Sequence, residues 1–188
     1  MLKLEPFIEE CRAAASATDA EKAVRELVAE AVSDPAGVAA ALREPEHAGF
    51  EVLHRARDLT ILNFAWAPWM CFKPHNHAMW SVVGVFSGRE DNVFWKRTES
   101  AIEAAGARSL GRGDIASLGL DVIHSVTNPI GKMTRAIHVY GGDFFAPPRP
   151  RSEWDHETLV ERPWDFDGAR RAFADAEARA SARPGTDR

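Results

Sequence analysis

The stretch that decides the fold is PHNHAMWSVVGVFSG, residues 74–88. One residue separates His75 from His77, so in a strand both imidazoles point to the same face and can reach one metal ion. An apolar run follows, and it ends at the turn residues Ser87-Gly88. Because imidazole nitrogen suits iron, zinc, copper and nickel, this spacing makes His75 and His77 candidate ligands of one transition metal.

A second stretch, GRGDIASLGLDVIHSVTN (residues 111–128), contains a third candidate ligand. His124 lies on an apolar strand predicted over 122–127, and Asn128 follows four residues later. By itself, a histidine in such a strand is more typical of a hydrogen-bonded core residue than of a metal ligand. The two stretches together make His75, His77 and His124 the candidate metal triad.

The rest of the chain predicts a mainly β protein with helices at both ends. Short apolar runs separated by Gly, Pro, Asn and Asp predict an antiparallel sandwich or barrel. Its strands are 51–55, 60–66, 79–86, 92–97, 107–110, 115–118, 122–127 and 134–140. Helices are predicted over 6–17, 20–32 and 35–42, and again from Asp167 to about Ala182. This order excludes alternating βαβ units and gives a helical segment (1–45), a barrel (46–150) and a C-terminal extension with a helix (151–188).

Composition narrows the functional classes. The 188 residues are 45% hydrophobic and 27% charged, as expected for one globular domain. A net charge of -5 argues against a general nucleic-acid binder. No run approaches the ~20 apolar residues of a membrane span, and the N-terminus lacks the pattern of a secretory signal. With only two cysteines, Cys11 and Cys71, we expect reduced thiols in a cytoplasmic protein that has no membrane partner.

The two histidine stretches resemble the two motifs of the cupin superfamily. The first motif is His-x-His, a glutamate three or four residues later, and then a glycine. His75, His77 and Gly88 match it, whereas Ser81 or Val82 stands at the position of the glutamate.

In the second motif, Gly113, Gly119, His124 and Asn128 match. The resemblance covers about residues 50–145. It implies the cupin double-stranded β-helix, a jelly-roll barrel, with the three histidines as metal ligands.

The missing glutamate points to a particular chemistry. Three neutral imidazoles leave the ion with its full charge and with open coordination positions, which favours an anionic ligand such as a thiolate. In this respect the chain resembles the bacterial cysteine dioxygenase-like cupins, which are three-histidine thiol dioxygenases. The resemblance implies Fe(II), with another divalent transition metal as the alternative. It also implies O2 and a small thiol carboxylate, cysteine or 3-mercaptopropionate, as the substrates, and a sulfinic acid as the product.

The segment TRAIHVY, which ends at Tyr140, extends this resemblance. Thiol dioxygenases often carry Ser-x-His-x-Tyr on a late strand, and His138 and Tyr140 match, although Ala136 replaces the serine. The resemblance implies that His138 and Tyr140, the only tyrosine, form a catalytic outer-sphere relay. Animal cysteine dioxygenases join this tyrosine to a cysteine at the position of Val82, so no crosslink is expected here. Cys71 is interpreted as a small buried apolar residue.

The same family binds the substrate carboxylate with an arginine on an early strand. Arg55 and Arg57 are the candidates, and Arg55 is preferred because it lies within the predicted strand, whereas Arg57 stands beside Asp58 in a turn. The segment Arg-Glu-Asp-Asn, residues 89–92, is interpreted as a hairpin with surface charges.

Two other functions fit the same triad. One is a zinc enzyme of different chemistry, which would need a general base, and none of the matched motif positions carries a carboxylate. The other is a cupin that binds a small ligand without catalysis. The oligomeric state stays open.

Overall fold

A computed structural model describes residues 2–183, so the C-terminal extension is described as far as residue 183. Three helices precede the strands: α1 (Leu4–Ala15), α2 (Ala20–Ser33) and α3 (Pro35–Ala41). The strands are β1 (Gly49–Arg55), β2 (Thr60–Trp66), β3 (Cys71–Asn76), β4 (Ser81–Ser87), β5 (Arg89–Arg97), β6 (Ile102–Gly111), β7 (Ile115–Leu118), β8 (Ile123–Thr127), β9 (Thr134–Tyr140), β10 (Ser152–Trp154) and β11 (Glu161–Pro163). Helix α4 (Phe166–Ser181) follows them. No helix within residues 2–183 is long and apolar enough to cross a membrane.

The strands form two antiparallel sheets. The first has the order β1-β2-β9-β4-β7 and the second the order β11-β10-β3-β8-β5-β6. Strands that are distant in sequence are neighbours in both sheets, and inward-facing side chains of the two sheets pack in one core. This is the predicted double-stranded β-helix, with helices before and after it.

The sequence prediction omits β3, β10 and β11. In β3, Lys73-Pro74 interrupts the apolar alternation that marks a strand. The pairing of β3 with β8 shifts register between Phe72 and His75, and this bulge accommodates a proline that cannot donate to the ladder. The segment after Tyr140 was expected to lack regular structure, but β10 and β11 form a short hairpin within it.

The N-terminal helices cover the outer face of the first sheet. Val24, Val28 and Val32 of α2 are fully buried in a core that includes Val82 of β4. A Cβ atom at Gly84 would lie only 2.6 Å from Cγ1 of Val28. The glycine is therefore what lets α2 approach β4 so closely.

Side chains alternate along β9 between two apolar cores, one under the N-terminal helices and one inside the barrel. Ile137 and Val139 face the helices, whereas His138 and Tyr140 line the interior of the barrel. The C-terminal helix closes this interior, because Phe173 of α4 stacks on the ring of Trp66 with centroids 5.1 Å apart. The C-terminal extension thus contributes directly to the core around the candidate site.

Candidate metal centre and its cavity

The three predicted histidine ligands converge inside the barrel. His75 of β3 is paired with His124 of β8 in the sheet, and His77 follows the end of β3. The Nε2 atom of His77 lies 3.3 Å from that of His75 and 3.3 Å from that of His124. Two nitrogens bound to one ion at ~2.1 Å, at angles between 90° and 110°, are about 3.0–3.4 Å apart, so the spacing fits one metal ion.

The other nitrogen of each imidazole is held by a hydrogen-bond partner. The Nδ1 atoms lie 2.9 Å from the carbonyl oxygen of Lys73 for His75, 3.1 Å from Oγ of Ser81 for His77, and 2.8 Å from Oδ1 of Asn92 for His124. If each Nδ1–H donates to its oxygen, each Nε2 keeps a lone pair that faces the common point. Such anchoring of the outer nitrogen is usual for metal-binding histidines.

The cluster is electrically neutral. Burial lowers the pKa of His75 and His77 well below the usual value, and the neighbouring histidines and Arg151 lower it further. Burial also lowers the pKa of His124 to about 4. Among residues 2–183, the group that could hold an ion consists of these three histidines and contains no carboxylate. Of Ser81 and Val82, the two candidates for the position of the cupin glutamate, Ser81 contacts His77.

His138 and Tyr140 lie beside this cluster. The Nδ1 atom of His138 is 3.1 Å from the phenol oxygen, and both side chains are buried. The Tyr140 ring meets the ring of His77 edge-on, with centroids 5.1 Å apart. Burial raises the pKa of Tyr140 far above its ordinary value, so the phenol keeps its proton. The two residues therefore adjoin the candidate metal centre as a hydrogen-bonded pair.

Arg55 does not reach this site. Its guanidinium forms a two-point ion pair with Asp143, at 2.9–3.2 Å, and about half of its side chain is exposed. Strand β1 is at the edge of the first sheet, and the cavity wall does not include Arg55. The preference for Arg55 as the cation of the cavity is thus not supported by its position.

Arg151 is the cation that the cavity does contain. Its side chain is buried, Nε donates to the carbonyl oxygen of Asn76 at 3.0 Å, and Nη1 donates to that of Phe144 at 3.3 Å. The Nη2 atom has no partner although it is buried. Sequence reasoning missed this residue because it follows a proline-rich segment that predicts no regular structure.

Glu90 and Asn92 were also missed. They were interpreted as surface charges of a hairpin, but both are buried on the inward-facing side of β5. Glu90 accepts hydrogen bonds from Trp66 and Asn92, and Asn92 in turn contacts His124. Their signal in the sequence is the alternation of Glu90, Asn92 and Phe94, which a strand places on one face.

Cys71 is exposed rather than buried, because its side chain lies on the outer side of β3. Its Sγ atom accepts a hydrogen bond from Oγ1 of Thr127 at 3.5 Å. A hydrogen bond with His156 lowers the pKa of its thiol.

The cavity itself is small and mostly apolar. Its volume is about 30 Å³, which is room for roughly two water molecules. Most of the wall is aromatic and comes from both sheets and from α4. Its polar side chains are His75, His77, His124, His138, Tyr140 and Arg151. The cavity therefore brings together the histidine cluster, the tyrosine and one cation.

Comparisons with solved structures find proteins to which this chain is distantly similar. A protein with a double-stranded β-helix domain from Klebsiella pneumoniae is 13% identical and matches 66% of this chain and 90% of its own, with a TM-score of 0.43. An RmlC-like cupin from Methanocaldococcus jannaschii is 12% identical over 55% of this chain and 88% of its own, with a TM-score of 0.46. A Cupin 2 conserved barrel protein from Salinispora arenicola is 19% identical over 54% and 81%, with a TM-score of 0.41. No family model and no curated protein matches the sequence.

Proposed function

We propose that the protein is an iron(II)-dependent thiol dioxygenase that converts a small thiol carboxylate into its sulfinic acid. The observation that supports this proposal is one cavity whose wall combines a neutral three-histidine cluster, the His138–Tyr140 pair and Arg151, a buried cation with one unpartnered nitrogen. In this reaction R-SH and O2 give R-SO2H: both oxygen atoms bond to sulfur, sulfur is oxidised and O2 is reduced. No further reductant is needed.

An iron(II) ion held by His75, His77 and His124 would supply the binding of thiolate and O2. The absence of a carboxylate from this cluster supports an anionic ligand, because the ion keeps its charge. The surrounding aromatic side chains exclude bulk water, which strengthens the attraction between ion and thiolate.

Arg151 is the residue we assign to the substrate carboxylate. Two of its nitrogens are fixed by backbone carbonyl groups, Nη2 is buried without a partner, and the residue lines the cavity. A buried donor without a partner is costly, and a carboxylate oxygen would satisfy it with a charge-assisted hydrogen bond. The carboxylate of the substrate thereby sets the position of its thiol.

Tyr140 supplies a protonated oxygen beside the ion. Its hydroxyl group contacts Nδ1 of His138 and can turn toward a bound ligand that is a stronger acceptor. Because burial keeps the phenol neutral, the residue offers a hydrogen bond without adding negative charge to the site. The contact with Nδ1 of His138, at 3.1 Å, fixes the orientation of this hydroxyl group.

The wall of the cavity favours a substrate without an ammonium group. Its polar residues are four histidines, a tyrosine and an arginine, so it offers no carboxylate as a partner for a cationic amine. Between the two substrates considered, 3-mercaptopropionate therefore fits this charge pattern better than cysteine. Either thiol is larger than the space for two water molecules, so its binding requires the aromatic side chains of the wall to move apart.

The test is oxygen uptake by protein that has been loaded with Fe(II) under anaerobic conditions. The panel contains 3-mercaptopropionate, cysteine, cysteamine and propanethiol, so that the carboxylate and the amine are varied separately. We expect uptake to be fastest with 3-mercaptopropionate and the product to carry both atoms of labelled O2. No thiol-dependent uptake by iron-loaded protein would contradict the proposal.

A further inference from the structure

Beneath the metal centre, a buried carboxylate connects two histidines that have different roles. Glu90 has no exposed surface. Its Oε1 atom lies 3.1 Å from Nδ2 of Asn92, and its Oε2 atom lies 2.9 Å from the indole nitrogen of Trp66 and 3.7 Å from Nε2 of His138. Asn92 then reaches His124 with its other amide atom, at 2.8 Å.

The charge of Glu90 is maintained in this setting. Burial alone raises the pKa of its carboxyl group, but contacts with His138 and Asn92 outweigh burial and hold the pKa below its usual value. The ionised group has only acceptor atoms, so every neighbour at hydrogen-bond distance must donate to it.

This requirement fixes the direction of the hydrogen bonds that lead from Glu90 through Asn92 to His124. Because the carboxylate accepts, Asn92 must present its NH2 group to Glu90 and its oxygen to His124. That oxygen also only accepts, so Nδ1 of His124 carries the hydrogen and Nε2 carries the lone pair. Nε2 is the atom that faces His77 at the candidate metal centre.

The carboxylate of Glu90 also determines which nitrogen of His138 carries the hydrogen. Nε2 of His138 is buried without a hydrogen-bond partner, 3.7 Å from Oε2 of Glu90, and the negative charge at this distance favours a hydrogen on Nε2. In the neutral imidazole, Nδ1 of His138 is then an acceptor, and it lies 3.1 Å from the hydroxyl group of Tyr140. Glu90 is the charged group that faces Nε2, so it orients the histidine.

We infer that Glu90 is a positioning residue that sets the tautomers of both His124 and His138, and so couples the metal site to the Tyr140 relay. This inference rests on the proposed metal site, but Glu90 touches neither an ion nor substrate. It acts through hydrogen-bond polarity alone, which makes its effect separable from its contribution to packing.

The variant Glu90→Gln tests this polarity with almost no change in volume. The indole N–H of Trp66 can only donate, so the new amide must keep its oxygen toward Trp66 and turn its NH2 group toward Asn92. To avoid two opposed donors, the amide of Asn92 rotates and presents NH2 to Nδ1 of His124. The hydrogen of His124 then moves to Nε2, the atom needed for the metal.

We therefore expect Glu90→Gln to weaken binding of Co(II) or Fe(II) by about 10–100-fold, the range observed when residues behind metal ligands are changed. The decisive comparison is the double variant Glu90→Gln with Asn92→Asp. It exchanges the positions of amide and carboxylate: the new NH2 donates to the new carboxylate, and that carboxylate accepts from Nδ1 of His124. Metal affinity should return to within a few-fold of the wild type, whereas mere damage to packing would accumulate in the double variant.

A second measurement uses the metal-free protein and no activity. In ¹⁵N-histidine-labelled wild type, long-range proton–nitrogen correlations should show hydrogen on Nδ1 of His124 and on Nε2 of His138. Signals are assigned by their loss in single histidine-to-glutamine variants. The opposite tautomers in the wild type, or unchanged metal affinity in folded Glu90→Gln, would overturn the inference. Failure of the wild type to bind metal would instead contradict the proposed function, and the nitrogen spectra would still decide the tautomers.

Discussion

The guanidinium carbon of Arg151 lies 4.1 Å from the centre of the Trp164 ring. The ring of Phe144 is 4.4 Å away, so the cation is held between aromatic rings and two backbone carbonyl groups. Burial lowers the pKa of Arg151 to about 10, which still leaves the group charged at neutral pH. A fixed, desolvated cation beside a metal centre is suited to a ligand that carries its own negative charge.

Replacing Arg151 with glutamine should weaken binding of thiol carboxylates. A hydrogen bond to a charged group contributes about 1.5–3 kcal/mol, so we expect kcat/KM for 3-mercaptopropionate to fall by about 10–150-fold, mainly through KM. Steady-state oxygen uptake measures this loss. Iron content should stay the same.

Two controls accompany this variant. Arg55→Gln removes a surface arginine that is paired with Asp143, and it should leave KM nearly unchanged. Propanethiol lacks a carboxylate, so its slow turnover should not respond to Arg151→Gln. An equal loss for both thiols would argue that Arg151 supports the fold and does not bind substrate.

The barrel and the three histidines could be predicted because their signals are local. His75, His77 and His124 stand in short stretches with a fixed spacing, and turn residues mark the strands. Arg151 could not be found in this way. Its contact with Asn76 spans 75 positions, and the proline-rich segment before it has no period that reveals which side chains point inward.

The misreading of Glu90 has a different cause. Charged residues next to a turn usually face water. The residue types of 89–92 therefore predict a surface hairpin, even though the alternation along β5 places Glu90 on its inward face. In the structure, partners from two other strands, Trp66 and His138, offset the cost of burying this charge. Such compensation depends on tertiary contacts that no local pattern reveals.

Ser81 provides a test of the polar shell behind the ligands. Its hydroxyl oxygen is 3.1 Å from Nδ1 of His77 and takes the place of the cupin glutamate. Ser81→Ala removes this acceptor, and we expect the affinity for Co(II) to fall by about tenfold. A competition titration with a chelating dye measures it. Ser87→Ala, at the other end of the same strand, is the control, and equal affinities in the two variants would contradict the assigned role.

The metal-free protein should lose stability on mild acidification. Burial lowers the pKa of His124 to about 4, whereas an unfolded histidine has a pKa of about 6.5. The unfolded chain therefore takes up the proton first. The free energy of unfolding should be constant above pH ~6.5 and should fall as the pH decreases toward about 4, by roughly 3 kcal/mol for this one group.

Urea unfolding across this pH range gives the measurement. His124→Gln lacks the titrating group and should show a shallower decrease than the wild type. His47→Gln changes an exposed histidine, and its decrease should match that of the wild type. If His124→Gln retains the full slope, the acid sensitivity belongs to other groups.

The last prediction concerns Tyr140, whose hydroxyl group lies 3.1 Å from Nδ1 of His138 inside the cavity. Tyr140→Phe removes this polar oxygen and its hydrogen while keeping the ring against His77. Loss of one positioned donor costs about 10²–10³-fold where it stabilises developing charge, so turnover of 3-mercaptopropionate should fall by at least about tenfold. Because the phenol is not proposed as a ligand, the iron content should not change. Iron stoichiometry and thiol-dependent oxygen uptake are measured on the same preparation, with Phe64→Leu as a control for altered packing of the wall. Full turnover in Tyr140→Phe at unchanged iron content would show that Tyr140 contributes only to packing. The dioxygenase proposal would then depend on the three histidines and Arg151 alone.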